Sequence, residues 1–321
     1  MTTAKRDRHT IGWIGTGRMG SVLAARLLEH GCDLGVYNRT RAKAEPLAKL
    51  GARIVDRPAD LADRDIVITS IAGSRDFLDV MTGPQGLLAN GGRVPSLVID
   101  SSTVSMKVSE EVRAKASSLG ADLLAAPVSG NPKVAKAGKL SLAVSGPRAA
   151  YDRALPYLQM LGSSVTYVGE GEAARLVKIC HNLVLGAVTQ ILAETTVLAE
   201  RGGIKRADYL EFINGSVMGS TFSRYKTPAF VNLDFTPTFT GHLLRKDFEL
   251  GLEAARQLNV PLPVSAVVHQ IVVSLIGRGL GDEDFAALLK LEAGGANLTL
   301  QPDGRAISDG LESVEALGGH R

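Results

Sequence analysis

The pattern of hydrophobic positions changes at about residue 170. Before that point, short apolar runs rich in β-branched residues alternate with stretches of helical period, as in βαβ units built around a mostly parallel sheet. Several runs are apolar without alternation, which is expected of strands covered by helices on both faces. The predicted strands are 10–14, 34–37, 53–55, 66–70, 96–99, 122–125, 141–145 and 164–168.

The second half of the chain is predicted to be all helical. From 173 to 200, apolar residues fall on nearly every helical face, which indicates one long buried helix. Shorter helical patterns follow at 205–217, 240–258, 262–279 and 282–293. The pattern thus predicts an α/β fold: a doubly wound sheet domain over 1–168, an all-α domain over 169–300 joined to it by the long helix, and a polar, loosely held tail over 301–321.

Composition narrows the class of protein. Of the 321 residues 45% are hydrophobic and 21% are charged, which excludes wholesale disorder. A net charge of +3 is too small to indicate a nucleic-acid partner, although it leaves an anionic small molecule open. No window reaches the roughly 18 uninterrupted apolar residues of a membrane span, and the first ten residues lead into no signal-peptide core. We therefore expect a cytoplasmic protein with no membrane partner.

A glycine-rich turn follows the first predicted strand. In the GxGxxG pattern of residues 15–20, Gly15 permits a sharp bend, Gly17 lets the backbone approach a pyrophosphate, and Gly20 allows the helix to pack on the strand. The helix N-terminus then faces the phosphates. The turn predicts a dinucleotide cradle, the alternative being a glycine turn without a ligand. The cradle residues are Gly15, Thr16, Gly17, Arg18, Met19 and Gly20.

The end of the second predicted strand indicates which dinucleotide is bound. A carboxylate there would accept a hydrogen bond from the ribose 2′-hydroxyl of NAD, but this chain has Asn38, Arg39 and Thr40. Arg39 offers a planar fork suited to a 2′-phosphate, and its neighbours add uncharged hydrogen-bonding groups. NADP is therefore favoured over NAD. The alternative is that Arg39 is simply solvated at a helix start.

A lysine stands in the most apolar predicted helix. Lys178 and Asn182 are four residues apart on one helical face, and Gly186 and Thr189 on that face are small enough to leave room for a ligand. A lysine in apolar surroundings is costly unless it has a partner or a task such as proton transfer. The alternative is a side chain that extends to the surface. Cys180 and His181 beside it lack a third ligand at helical spacing, so no metal is expected.

Several segments, taken in order, resemble the β-hydroxyacid dehydrogenases, the family of 3-hydroxyisobutyrate dehydrogenase, tartronate semialdehyde reductase and glyoxylate/succinic semialdehyde reductase. The resemblance covers about residues 10–293. It rests on GTGRMG (15–20), DSST (100–103), APVSG (126–130) with KAGKLSLAVSG (136–146), KICHN (178–182) and RKDFELG (245–251). It implies a Rossmann-type domain, an all-α domain that supports a homodimer or homotetramer, and an NAD(P)-dependent oxidoreductase interconverting a small β-hydroxyacid and its semialdehyde.

The resemblance also implies roles for particular residues. Lys178 and Asn182 are implied to be the catalytic residues, with Lys178 as the general acid/base and Asn182 as a group that orients the substrate. The residues implied to bind a carboxylate-bearing substrate are Ser129, Gly130, Asn131, Thr103, Phe239 and Asp247. Those implied to contact the cofactor, besides the cradle and residues 38–40, are Ile71, Ala72, Thr103 and Lys246. Asn131 stands where the family has glycine, which predicts altered carboxylate recognition, and Ala72 replaces a usual proline.

Other functions remain open on the sequence. The order Lys-x-x-His-Asn is similar to 6-phosphogluconate dehydrogenase, but the acidic residue that follows in that enzyme's motif is absent. An imine reductase shares the architecture but usually replaces the lysine, and a non-catalytic NADP-binding module need not keep it, so Lys178 favours alcohol–aldehyde chemistry. Arg224 and Lys226 are candidates for binding a distal acid group of the substrate, with surface placement as the alternative. The particular hydroxyacid is not predicted.

Overall fold

The computed structural model describes residues 9–89 and 92–311, and their contacts divide the chain after Lys178 into two compact units. The first unit contains a nine-stranded sheet. Its strands are β1 Ile11–Ile14, β2 Leu34–Tyr37, β3 Arg53–Ile54, β4 Ile66–Thr69, β5 Leu97–Asp100, β6 Asp122–Ala125, β7 Val128–Ser129, β8 Ser141–Ser145 and β9 Ser164–Gly169. All eight predicted strands are present to within one residue at each end. The additional strand, β7, is too short to show a period.

Helices and short 3₁₀ turns connect these strands and form the second unit. The helices of the first unit are α1 Arg18–Glu29, α2 Glu45–Ala48, α3 Ser74–Thr82, α4 Met106–Ser118, α5 Pro132–Lys136 and α6 Arg148–Leu161. Helix α7, Ala173–Arg201, runs across the division between the units. The second unit adds α8 Arg206–Gly215, α9 Thr221–Asn232, α10 Gly241–Leu258, α11 Pro263–Gly277 and α12 Leu288–Gly295. The 3₁₀ turns are Arg41–Lys43, Pro58–Leu61 and Phe285–Ala287.

The sheet has the order β3-β2-β1-β4-β5-β6-β8-β7, and β9 pairs with β8. Strands β1 to β6 are parallel, whereas β8 is antiparallel to β6 and β7. The α/β prediction is therefore confirmed. The chain builds the sheet outward from β1 to β3 and then returns to place β4 on the other side of β1. In such folds the crevice at the carboxyl ends of the two strands flanking this reversal is where ligands bind.

Helix α7 is long and apolar enough, by length and composition alone, to cross a membrane. Its polar side chains argue for a core helix instead, because Arg175, Asn182 and Gln190 are each 2% exposed and each is hydrogen-bonded to a residue elsewhere in its own unit. The prediction of one long buried helix does not hold along one stripe of its surface. Val184, Ile191 and Leu198, spaced seven residues apart, are 62%, 52% and 73% exposed.

The helical unit also has two features that its sequence pattern does not show. Helix α9 is not predicted, because Pro228 lies inside it and a proline there removes one helical hydrogen bond. The tail is tied to the unit as far as residue 311, since Arg206 donates to the Gln301 carbonyl and Leu311 is buried. Residues 301–311 form no helix or strand, and the expectation of a loosely held tail stays a prediction. Residues 312–321 lie outside the described residues.

Candidate active site

The glycine turn after β1 has the backbone of a phosphate cradle. Gly15 adopts a φ of +99°, and a Cβ there would overlap the Ser70 carbonyl, so the bend requires glycine. The Trp13 indole N–H donates to the Gly15 carbonyl at 2.8 Å and supports the turn. A Cβ on Gly17, by contrast, would meet no described atom within 4 Å. The backbone at Gly17 is therefore open to a ligand in front of α1.

A cavity of about 580 Å³ lies beside this turn, at the carboxyl ends of β1, β2 and β4. Its lining includes Gly15, Gly17, Arg39, Thr40, Ile71 and Ala72. The Thr16 hydroxyl is buried and has no hydrogen-bond partner among the described residues, so it fits a donor to a phosphate oxygen. Arg18 and Met19, in the first turn of α1, are exposed and partly exposed. The residues present therefore fit a nicotinamide dinucleotide.

Asn38 and Arg39 have different surroundings although they are adjacent. The Asn38 carboxamide accepts from the Thr16 N–H at 2.9 Å and donates to the Thr40 carbonyl at 2.8 Å, so it holds the two turns together. Arg39 is 81% exposed at its side chain and pairs with Asp76 of α3 at 2.9 Å. Asp76 also lines the cavity and is a contact that the sequence analysis missed. The sequence does carry an indication of Asp76, because this carboxylate falls in the first turn of the helix that follows β4.

The turns after β4 and β5 are hydrogen-bonded to each other. The Ile71 N–H donates to the Ser102 hydroxyl at 2.8 Å, and that hydroxyl donates to buried Asp100 at 2.6 Å. Ala72 is exposed and Thr103 is partly buried next to this contact. The structure thus brings together the two turns that the sequence assigned to the cofactor. Asp100 and Ser102 were not predicted as site residues.

The turn after β7 positions Ser129, Gly130 and Asn131. Ser129 pairs with Ser141 of β8, and Gly130 adopts a φ of +129°, which favours glycine. Asn131 is 8% exposed, and its side-chain oxygen accepts from the Val134 N–H at 3.0 Å as the N-cap of α5. The Asn131 oxygen thus starts α5, and its amide N–H groups remain the part of the side chain with which it could contact a carboxylate, so altered carboxylate recognition stays a prediction.

Asn182 is fixed by polar contacts within the second unit. It is 2% exposed and its amide donates to Asp247 at 2.5 Å, while His181 Nδ1 lies 2.9 Å from its oxygen. Asp247 is 1% exposed, and its other oxygen is 3.2 Å from Lys246 Nζ. Three residues assigned by the resemblance, from α7 and α10, are thus in contact. Lys178 precedes Asn182 by one helical turn and is partly buried.

The space expected beside Gly186 is filled. A Cβ on Gly186 would overlap the ring of Phe248, so the missing side chain serves the close approach of α10 to α7. Thr189 is fully buried and its hydroxyl donates to the Leu185 carbonyl at 2.8 Å. The prediction that these two small residues leave room for a ligand is wrong, because the Phe248 ring fills the space beside Gly186 and Thr189 is fully buried.

Lys226 is an internal cation and not a surface group. It is 4% exposed, its ammonium lies 2.5 Å from Asp284, and it stands 4.2 Å from the centre of the Phe285 ring. Asp284 also accepts from the Phe239 N–H at 3.3 Å, and the partly buried Phe239 ring packs edge-on against Phe285 at 5.7 Å. Lys226 therefore supports the Phe239 segment. Arg224 is exposed and bonds to the Asn214 carbonyl.

The charge on Asp284 is maintained by its neighbours. Burial raises the pKa of this carboxyl, but the Lys226 ammonium and hydrogen bonds from Lys226, Thr238 and the Ala286 N–H outweigh burial and hold the pKa below its ordinary value. The Asp284 carboxylate is therefore ionised near neutral pH. No metal site accompanies this pair: in residues 9–89 and 92–311, no three His, Cys, Asp or Glu side chains are grouped so as to hold a metal ion.

Two family models cover residues 10–292. The first is described as the NAD binding domain of 6-phosphogluconate dehydrogenase and matches 10–169; the second is described as the NAD-binding domain of NADP-dependent 3-hydroxyisobutyrate dehydrogenase and matches 171–292.

Individual proteins match over nearly the same length. The chain is 34% identical to 2-(hydroxymethyl)glutarate dehydrogenase of Eubacterium barkeri, over 88% of this chain and 94% of that protein. It is 29% identical to the chloroplastic glyoxylate/succinic semialdehyde reductase 2 of Arabidopsis thaliana, over 88% and 78%. The crystal structure of 3-hydroxyisobutyrate dehydrogenase from Salmonella typhimurium superposes with a TM-score of 0.78 and 26% identity, over 88% of this chain and 99% of that one.

A parallel sheet with a glycine cradle at its reversal point, followed by a helical unit, defines a dinucleotide-dependent oxidoreductase. The chain belongs to the β-hydroxyacid dehydrogenase family, and it is an NAD(P)-dependent hydroxyacid dehydrogenase.

Proposed function

We propose that the enzyme uses NADP to interconvert a small β-hydroxyacid and its semialdehyde, with Lys178 as the general acid/base. The observation that carries this proposal is the position of Lys178 on α7 one helical turn before Asn182, whose amide is held by buried Asp247. A charged amine on a mostly apolar helix, followed by a carboxamide of fixed orientation, suits protonation of a carbonyl oxygen.

The nicotinamide, when bound, supplies or accepts the hydride. In the reducing direction the Lys178 ammonium donates a hydrogen bond to the aldehyde oxygen, stabilises the developing negative charge and transfers its proton to that oxygen. Asn182 has two amide hydrogens, of which one bonds to Asp247. We assign the other to the same substrate oxygen, so that Asn182 orients the carbonyl toward the lysine.

The substrate carboxylate is assigned to the turn after β7. The Ser129 hydroxyl and the backbone N–H groups near Gly130 are suitable donors for a carboxylate. The positive φ of Gly130 makes this backbone arrangement accessible, while the Asn131 side chain is engaged as a helix cap. Recognition of the substrate carboxylate then rests on Ser129 and on backbone N–H groups. One carbon of the substrate separates this carboxylate from the carbon that accepts or loses the hydride.

The activity is tested by following NADPH absorbance with glyoxylate, succinic semialdehyde, tartronate semialdehyde and a cyclic imine. We expect turnover with at least one semialdehyde and none with the imine. Turnover of the imine alone would identify an imine reductase and overturn the proposal. NADPH binding without turnover of any of these compounds would indicate a non-catalytic binding module.

The preference for NADP is assigned to Arg39. Replacing Arg39 with alanine is expected to raise the KM for NADPH by about 10–100-fold, because charge-assisted hydrogen bonds to the 2′-phosphate are lost. The KM for NADH, which lacks that phosphate, should change by less than about 2-fold. Steady-state kinetics with both dinucleotides measure the difference.

Arg41→Ala is the matched control for Arg39. Arg41 is two residues away and pairs with Asp56 at 2.6 Å, and neither residue lines the cavity. Its loss should leave both KM values unchanged. If Arg39→Ala raises the two KM values equally, the arginine does not bind the 2′-phosphate.

A further inference from the structure

Arg175 places a full positive charge in the interior of the first unit. Its side chain is 1% exposed, and it stands on α7 three residues before Lys178. A buried guanidinium is costly unless it is paired and its N–H groups are bonded. The contacts of Arg175 therefore show which parts of the chain it holds together.

The guanidinium bonds to three acceptors in different directions. Nη2 donates to Asp100 at the end of β5 at 2.7 Å, Nη1 donates to the Ser102 carbonyl at 3.1 Å, and Nε donates to Glu172 at 3.0 Å. Asp100 is fully buried. The Ser102 carbonyl belongs to the peptide that leads directly to Thr103. Arg175 thus connects the start of α7 with the turn after β5.

The same network reaches the turn after β4. The second Asp100 oxygen accepts from the Thr69 hydroxyl and, at 2.6 Å, from the Ser102 hydroxyl. The Ser102 hydroxyl in turn accepts from the Ile71 N–H at 2.8 Å. One ion pair therefore ties both turns assigned to the cofactor to the helix that carries the assigned acid/base.

We propose that Arg175 is a positioning residue that sets Lys178 relative to the Ile71 and Thr103 turns. The inference rests on the proposed function, because it takes Lys178 as the proton donor and these turns as cofactor contacts. The rigid, planar guanidinium holds three acceptors at fixed angles, which a lysine ammonium cannot do. A displacement of about 1 Å between reacting groups can cost about 100-fold in rate.

Arg113 provides a matched control in the same network. It pairs with the other oxygen of Glu172 at 2.7 Å and donates to the Gly171 and Leu123 carbonyls. Arg113 and Arg175 therefore bind the two oxygens of the same Glu172 carboxylate. Within the described part of the chain, the hydrogen bonds of Arg113 go to Glu172 and to the Leu123 and Gly171 carbonyls, and none goes to the turns after β4 and β5. Replacing Arg113 tests the general stability of the cluster and removes neither the bond of Arg175 to Asp100 nor its bond to the Ser102 carbonyl.

Arg175→Lys is expected to lower kcat by about 30–100-fold and to change the KM for NADPH by less than about 3-fold. The kinetic isotope effect with NADPH deuterated at the transferred position should rise, because hydride transfer becomes the slow step. Arg113→Lys should lower the melting temperature but keep kcat within about 3-fold of the wild type. Equal losses of kcat in the two variants, or a loss confined to NADPH binding, would overturn the inference.

Two further measurements distinguish a positioning role of Arg175 from an effect on folding and from failure of the proposed function. Ser102→Ala leaves the arginine in place and removes the hydroxyl that joins Asp100 to Ile71; it should lower kcat by about 5–10-fold with little change in KM. Crystal structures with NADPH should show the Thr103–Lys178 Cα distance changed by more than about 0.5 Å in Arg175→Lys and unchanged in Arg113→Lys. An unchanged distance in both refutes the inference, whereas a wild-type enzyme without semialdehyde turnover refutes the proposed function.

Discussion

Replacing Lys178 with methionine is expected to lower kcat by about 10²–10⁴-fold, the range typical of losing a general acid/base. Methionine keeps an unbranched, helix-compatible side chain of similar length, so the packing of α7 should be retained. The dissociation constant of NADPH should stay within about 2-fold, because no cradle residue changes. Turnover is measured from NADPH absorbance and binding from NADPH fluorescence.

Lys115→Met on the exposed last turn of α4 is the control for a lost surface lysine. It should leave both quantities unchanged. If the Lys178 variant turns over semialdehyde at the wild-type rate, another group supplies the proton and the assignment of Lys178 fails. A parallel loss of NADPH binding would instead indicate that the substitution disturbs the fold.

The second large effect is expected from Lys226→Met. This change leaves the Asp284 carboxylate buried without its cation, and breaking such a pair costs about 3–5 kcal/mol of unfolding free energy. For a unit of this size the melting temperature should fall by about 10 °C. Thermal unfolding followed by circular dichroism measures the change.

Lys290→Met is a closely matched control. Lys290 also pairs with a carboxylate, Glu283, at 2.6 Å and also lies over an aromatic ring, that of Phe235, but its side chain is 37% exposed. Its loss should cost no more than about 1 kcal/mol. Equal effects of the two substitutions would show that burial of the Lys226 pair is not what stabilises the unit.

The cost of Lys226→Met should also depend on pH. In the wild type the pKa of Asp284 is held below its ordinary value, so its ionised form contributes stability above about pH 4, and this stability is lost as the pH falls through the lowered pKa. Without Lys226, burial raises the pKa of Asp284 and the protonated acid needs no cation. The deficit in melting temperature should therefore be smaller at pH 5 than at pH 7. A deficit that is the same at both values would contradict this account.

The features that the sequence predicts are those governed by local chemistry. The parallel strands are visible because continuous runs such as 66–69 carry β-branched residues that suit a strand buried on both faces. The cradle is visible because Gly15 and Gly20 must lack side chains at a fixed spacing between a strand and a helix. In both cases the residues that identify the feature are close together in the chain, so the sequence alone is enough to predict it.

The features that the sequence does not predict depend on distant partners. Arg175 and Asp100 are 75 residues apart and Lys226 and Asp284 are 58 apart, and no periodicity pairs a charged side chain with its acceptor across such distances. Gly186 illustrates the same limit. A small residue on a helix suits either a ligand or a second helix, and only the position of Phe248 distinguishes them.

Asn131 has a consequence for how relatives of this enzyme are compared. Its oxygen bonds to the Val134 N–H, and Pro132 follows at the first position of α5. In an aligned set of sequences, asparagine in place of glycine here would look like a change in substrate preference. In this protein the asparagine also starts a helix, so an exchange at this position changes the local backbone as well as the groups that line the turn.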